Sequence, residues 1–320
     1  MEAPKLTGFV AAIVSPDVDA ASLRAAAVGK LGDKGPVMMY YRKLGSLVLT
    51  ALVPTTYPQT VLDAASAVTA SQAACVVSGY DVDWRDGELM LLLASASPQL
   101  KVVESPLPEK ISSMLAASGL GDLRAAGPGA CTSDILDLEP PVSDGEGLVL
   151  VDRSFNVKGV GLVMLGFSKL GSVAVHDELI AIPSMKRLSV KSIEVLDEPV
   201  DEVGPDVRVG LALKGASLEE VEDTYLLVRS PDQVVSELVV SVKRFPWSDD
   251  VKPGKLYHLS ALGVVVPATA TSVEGERARF KASRPLPRSG RYVLIDVNAK
   301  PPRPRVIGWV EPLSASPGGR

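Results

Sequence analysis

Apolar positions in the first 140 residues gather into short runs separated by segments of helical character. Gly8–Val14, Gly45–Leu52 and Ala73–Ser78 are largely apolar stretches of strand length, the pattern of strands covered on both faces. Leu89–Leu93 is equally apolar and fits either a strand or a buried helix. Between these runs, Ala20–Leu31 and Thr60–Ala70 are rich in alanine and favour helix. Strands alternating with helices predict an α/β domain with a mostly parallel sheet over residues 1–140. The stretch Glu139-Pro140-Pro141-Val142-Ser143-Asp144-Gly145 then breaks regular structure and reads as a linker.

Beyond it the period shortens to two. Gly161–Phe167, Ser172–Val175, Leu179–Ile182, Ser189–Val195 and Val207–Leu213 are β-rich runs punctuated by Gly171, His176-Asp177, Pro183-Ser184 and Gly204-Pro205. A second set comprises Glu237–Val242, Leu256–Leu262, Ala268–Val273, Arg277–Ala282, Tyr292–Asp296 and Arg305–Trp309. Short strands at this spacing predict two closed antiparallel barrels, over 145–229 and 230–320.

Composition narrows the chemistry. With 46% hydrophobic and 22% charged residues the chain has the make-up of a soluble globular protein. It has no apolar run of membrane-spanning length, and Met1–Val10 lacks the pattern of a secretory leader, so a cytoplasmic protein is expected. Cys75 and Cys131 are too few and too isolated for a disulfide framework, and with His176 and His258 they offer no plausible zinc site; no metal or cofactor is expected. Asparagine occurs only at 156 and 298 and glutamine only at 59, 72, 99 and 233, a depletion that suggests a thermophile. The net charge of −5 is unevenly spread. Residues 1–140 carry ten Lys and Arg against fifteen Asp and Glu, residues 141–229 nine against fifteen, and residues 230–320 fourteen against eight. A basic final third on an acidic protein points to a polyanionic partner at that end.

Val151-Asp152-Arg153-Ser154-Phe155-Asn156-Val157-Lys158-Gly159-Val160-Gly161, with Asp177-Glu178-Leu179 and Arg208-Val209-Gly210-Leu211-Ala212-Leu213-Lys214-Gly215, resembles the second domain of translational GTPases, the elongation factor Tu relatives, in their selenocysteine-specific flavour. Arg288–Asp296 and Arg305-Val306-Ile307-Gly308-Trp309 are more weakly similar to the end of that family's third domain. The family order of GTPase domain, barrel, barrel matches the organisation above. His176 stands where the family has glycine before Asp-Glu-Leu, and is expected as a turn residue at positive φ.

The resemblance implies a nucleotide-binding first domain, but the residues depart from it. A working phosphate loop reads G-x-x-x-x-G-K-[ST]. The matching stretch here is Ser15-Pro16-Asp17-Val18-Asp19-Ala20-Ala21-Ser22, in which Ser15, Ala20 and Ala21 stand where glycine, glycine and lysine would, and only Ser22 agrees. Carboxylates where phosphate would sit cost on the order of 4 kcal/mol at about 4 Å, whereas an acid or hydroxyl there can cap the helix instead. Val53-Pro54-Thr55-Thr56-Tyr57 replaces the family's Asp-x-Pro-Gly-His, and Glu104-Ser105-Pro106-Leu107 its Asn-Lys-x-Asp. The first switch, confined between Arg24 and Leu44, is expected to be truncated.

The expectation is therefore a non-catalytic elongation-factor-like protein that does not bind GTP and holds tRNA, the ribosome or both through its barrels. Candidate RNA contacts are Lys214, which matches a basic position near the family's aminoacyl-end pocket, and Lys243, Arg244, Arg288, Arg291, Lys300, Arg303 and Arg305 in the second barrel. Phe245, Trp247, Tyr257 and Tyr292 lie among them and are available either for base stacking or for packing. Two alternatives stand beside it: a divergent GTPase using Ser22 for magnesium, and a protein-binding regulator of translation.

Overall fold

The computed structural model describes residues 6–139 and 145–313; Pro140 and Pro141 of the expected linker lie outside them. The first unit runs β1 (Thr7–Val14), α1 (Val18–Val28), β2 (Lys30–Asp33), β3 (Val37–Leu44), β4 (Leu47–Pro54), α2 (Leu62–Thr69), β5 (Ala73–Val77), α3 (Trp84–Ala96), β6 (Leu100–Glu104), α4 (Pro108–Ala117), β7 (Arg124–Ala126) and α5 (Ala130–Asp137). Its seven strands lie in the order β2-β3-β4-β1-β5-β6-β7. The five from β4 to β7 are parallel, and the β2–β3 hairpin extends the sheet antiparallel. Successive β1 side chains point to opposite faces. Phe9, Ala11 and Ile13 meet α1 and α5, while Val10, Ala12 and Val14 meet α2, α3 and α4.

Leu89–Leu93 is helical. Asp83 and Asp86 form a reciprocal capping box at the start of α3. The helix is apolar nearly all round because it lies between the sheet and the last barrel. The helix expected to reach Leu31 stops at Val28, since Gly29 is extended and β2 begins at Lys30. The interval expected to hold a truncated switch thus contains the β2–β3 hairpin. Cys75 and Cys131 are not isolated: they form a disulfide between β5 and α5, with Cα atoms 5.8 Å apart.

The second unit contains β8 (Leu148–Val157), β9 (Gly161–Leu170), β10 (Val173–Ala174), β11 (Glu178–Ile182), β12 (Arg187–Val195), β13 (Glu198–Val200), β14 (Glu202–Val203), β15 (Val207–Lys214), α6 (Leu218–Val221) and β16 (Leu226–Val228). Its antiparallel sheet, ordered β11-β16-β8-β9-β15-β12-β13, closes on itself through β11–β12. His176 takes φ 75°, as a turn residue should. In the third unit β17 (Val234–Arg244), β18 (Leu256–Ala261), β19 (Val264–Glu274), β20 (Arg277–Pro287), β21 (Tyr292–Ile295) and β22 (Val306–Pro312) form a closed barrel ordered β17-β20-β19-β18-β21-β22.

The units are tied by polar contacts between buried backbones. Gly8 N donates to Pro205 O at 2.8 Å, and a Cβ on Gly8 would fall 1.8 Å from Asp206 O, so only glycine permits that approach. Lys169, buried against Asp206, donates to Ala70 O at the end of α2. Ser66 Oγ donates to Gly263 O at 2.6 Å, and the hydroxyls of Thr69 and Ser260 meet at 2.9 Å.

Candidate functional site

Ligands of open α/β sheets bind beyond the carboxyl ends of the strands, where β1, β4, β5 and β6 here end side by side. After β1, Ser15 Oγ donates to Val77 O at 2.7 Å and accepts from Asp17 N at 3.0 Å. The Asp17 carboxylate accepts from Asp19 N at 3.0 Å and Ala20 N at 3.4 Å, and Ala21 N donates to Asp17 O. The N–H groups at the start of α1 that would face a phosphate are taken up by the chain itself. Ser22, in the second turn, keeps a buried hydroxyl without a partner among the described residues.

The neighbouring loops are filled in the same way. Thr55 Oγ1 donates to Gly35 O and Pro36 O, and Thr56 Oγ1 donates to Asp63 at 2.5 Å. Tyr57 is buried, donates to Arg85 O at 2.8 Å and lies under the Arg305 guanidinium. Burial, with the Glu88 carboxylate nearby, drives its phenol far above the ordinary range, so it stays protonated. At the end of β6, Glu104 accepts from Arg24 at 2.6 Å and from Cys131 N at 3.0 Å.

A second constellation stands at the junction of the first two units. Arg208, mostly buried on β15, pairs with Asp152 of β8 and reaches Asp33 of β2 at 3.3 Å, with its guanidinium 5.3 Å from the centre of the Phe167 ring. Arg153 also meets Asp33 at 3.3 Å. Burial pushes Asp152 above the usual carboxylate range against the pull of Arg208, and pushes the Tyr41 phenol up to about 12. These charges edge an apolar cleft of about 230 Å³ floored by Met39, Leu52, Leu150 and Phe167. Asp152, Arg153 and Arg208 lay within the segments that carried the family resemblance but were not singled out. Their signal was position, Asp152 and Arg153 following the apolar start of β8 and Arg208 standing second in the largely apolar β15.

Of the predicted cations, Lys243 and Arg244 line one groove with Trp309, whose ring Arg291 covers. Lys214 is exposed at the end of β15. Lys243 pairs with Glu276 at 2.7 Å, Arg244 with Asp250, Arg303 with Asp249 at 3.5 Å, and Arg291 with Glu311 at 3.0 Å while covering the Trp309 ring. Arg288 donates to Asp232 O at 2.5 Å, and Lys300 is exposed without an ion pair among the described residues. Arg305 is engaged within the protein: its guanidinium grips Glu88 of α3 through both oxygens and donates to Gln59 O, fastening the last barrel to the first unit. Of the aromatic residues, Tyr257 and Tyr292 are core, Phe245 is buried and stacked on Trp247 at 5.6 Å, and Trp247 is half exposed. Among the described residues no group of three or more His, Cys, Asp or Glu is placed to hold a metal, and no helix is long and apolar enough to cross a membrane.

No protein-family model matches the chain. The uncharacterized protein MJ0325 of Methanocaldococcus jannaschii is 34% identical over 110 residues, 34% of this chain and 36% of that protein. The selenocysteine-specific elongation factor of the same organism is 30% identical over 140 residues, covering 41% of this chain and 29% of the factor. The Escherichia coli selenocysteine-specific factor is 25% identical over 154 residues, 47% of this chain and 25% of the factor. These matches therefore span only about a quarter to a third of each relative. In fold, the chain is similar to translation elongation factor SelB of Methanococcus maripaludis in complex with the GTP analogue GppNHp, with a TM-score of 0.76 at 19% identity over 96% of this chain and 80% of that one. A bacterial selenocysteine-specific elongation factor EF-Sec gives 0.74 at 14% identity over 97% and 59%.

Proposed function

We propose that this chain, which these homologues place in the translational GTPase superfamily, serves translation in the cytoplasm as a non-catalytic elongation-factor-like protein, binding tRNA or the ribosome through its barrels without hydrolysing GTP. One observation carries the non-catalytic part: the turn between β1 and α1 is closed on itself, with Asp17 occupying the helix N-terminus. A phosphate entering there would have to displace that cap and face the exposed Asp17 and Asp19 carboxylates. The filled loops after β4 and β6 support the same reading, because water positioning and base reading would each need groups already engaged. The three-unit arrangement supports the elongation-factor-like part.

A divergent GTPase is favoured by one feature, the partnerless Ser22 hydroxyl at the position where the motif's magnesium ligand stands. Isothermal titration with GTP and GDP in the presence of magnesium separates the two. Absence of binding is expected, and micromolar affinity for either nucleotide would overturn the non-nucleotide reading. Crosslinking and sequencing of RNA recovered with the native protein tests the partner: one tRNA or ribosomal RNA should dominate.

A further inference from the structure

Many cations of the last barrel are paired, but those of one strand are largely not. Lys243, Arg244, Lys255, Arg291, Arg303 and Arg305 each face a carboxylate. Along β20, Ala278, Phe280 and Ala282 point into the barrel, and Arg277, Arg279 and Lys281 alternate with them on the outside, all exposed. Arg277 and Lys281 have no ion pair among the described residues, and the contact of Arg279 with Glu237 is 4.0 Å between two largely exposed side chains. Exposed pairs of that kind contribute little and yield readily to a competing anion. Farther along the strand Arg284 is exposed over the Tyr225 ring and donates only to a backbone oxygen, Asp223 O.

The flanking strands add hydrogen-bond donors. Ser241 of β17 lies opposite Arg277, and Ser272 and Thr269 of β19 lie opposite Arg279 and Lys281. Glu237 and Glu274 are the carboxylates beside the row, two against the four cations. Alternate residues of a strand stand about 6.6–6.8 Å apart, so Arg277 to Arg284 spans roughly 23 Å. An open groove lined by Val235, Val239, Arg277, Arg288, Pro312 and Leu313 runs beside it.

We infer that the outer face of β20 is a binding site for the phosphodiester backbone of RNA, with Arg277, Arg279, Lys281 and Arg284 as its cations. The inference rests on the reading that this protein binds RNA, and it locates the contact on residues other than the cations predicted above. Arg277, Arg279 and Lys281, on alternate positions beside hydroxyl donors, suit successive phosphates, Arg284 follows in the irregular stretch of the strand, and together they would position an RNA without reading its bases. An acidic polypeptide would instead be expected to seat an aromatic or large apolar anchor among the charges, and the outward neighbours of this row are Ser241, Thr269, Ser272, Glu237 and Glu274 with a single half-buried apolar residue, Val239.

The test is fluorescence anisotropy with end-labelled unfractionated tRNA and with labelled ribosomal RNA fragments, across 50–400 mM salt, on the full chain. The R277Q/R279Q/K281Q variant should bind at least about tenfold more weakly, and its slope of log affinity against log salt should flatten by about 2–3, at roughly 0.7–0.9 per lost contact. R277K/R279K should retain most of the affinity. A matched melting temperature shows that the fold is intact. A triple variant that binds as tightly as the unmodified protein, with the same slope, overturns this site and leaves the RNA reading standing. Displacement of the RNA by polyglutamate at equal charge concentration also overturns it, in favour of a protein partner. No binding of either RNA by the unmodified protein sinks both.

Discussion

Asp86 stands at the third position of α3 with one carboxylate oxygen accepting from Asp83 N and the other buried. Burial raises its pKa from 3.8. An acid whose folded pKa exceeds its unfolded one destabilises the fold when ionised: the penalty is absent below the unfolded value, grows as pH rises through the folded one and stays constant above it. Asp86→Asn keeps an acceptor for the cap and removes the charge. It should therefore raise Tm by a few degrees at neutral pH, with the advantage fading as pH falls below the unfolded value. Calorimetric scans of both proteins across that range check this, and a pH-independent difference would count against it. Asp17 is an exposed acid whose carboxylate caps the N-terminus of α1. Asp17→Ala should cost about 1 kcal/mol, the usual loss of a helix cap, measurable by urea unfolding, and it should not create affinity for GTP.

The elements show which physical signals the sequence carried. The barrel strands were legible because alternation holds along them and turn residues separate them; each of the six runs read in the last barrel lies largely in a strand. Central strands such as β5, buried throughout, were legible as apolar runs. The hairpin strand β3 was not, since its apolar half is covered by neighbouring units and its basic end is exposed, which leaves no clean period. The helices α4 and α5 are short and bury only two residues each, Ile111 and Leu115 in α4 and Cys131 and Ile135 in α5. The disulfide was hidden for a different reason. Cys75 and Cys131 are 56 positions apart, and only the parallel order β5-β6-β7 with α5 returning across the sheet brings them together. For the same reason Arg305 read as a surface cation: nothing local marks the Glu88 carboxylate 217 positions away that buries it. A cross-link closing a loop of that length commonly contributes about 2–5 kcal/mol. The C75S/C131S variant should accordingly melt well below the oxidised protein, and a dithiol reductant should lower Tm only in the unmodified chain. Equal melting of oxidised and reduced protein would show that the bond contributes nothing.

At the scale of the whole molecule, the contact between the first unit and the last barrel includes, beside its hydroxyl and apolar contacts, a charge pair placed largely out of water. Glu88 is fully buried, and Arg305 meets it through the backbone N–H and the guanidinium together, under cover of Tyr57. Neither group can be left alone there. Removing one partner from a buried pair strands the other charge and typically costs about 3–5 kcal/mol, whereas replacing both by apolar residues of similar size is often neutral or better. Arg305→Met should therefore lower stability strongly, while E88L/R305M recovers most of it, a non-additivity that a double-mutant cycle reads directly. The loss should be local to the seam. In a W84F background, which leaves Trp247 and Trp309 of the last barrel as the fluorophores, tryptophan fluorescence and hydrogen exchange of α3 should then report unfolding at different denaturant concentrations when Arg305→Met is added and together when it is not. If Arg305 instead contacts RNA, E88L/R305M would lose affinity for tRNA in proportion to one phosphate contact; if it serves as the fastening described here, the refastened double variant keeps the affinity and salt slope of the parent, and the β20 cations alone set both.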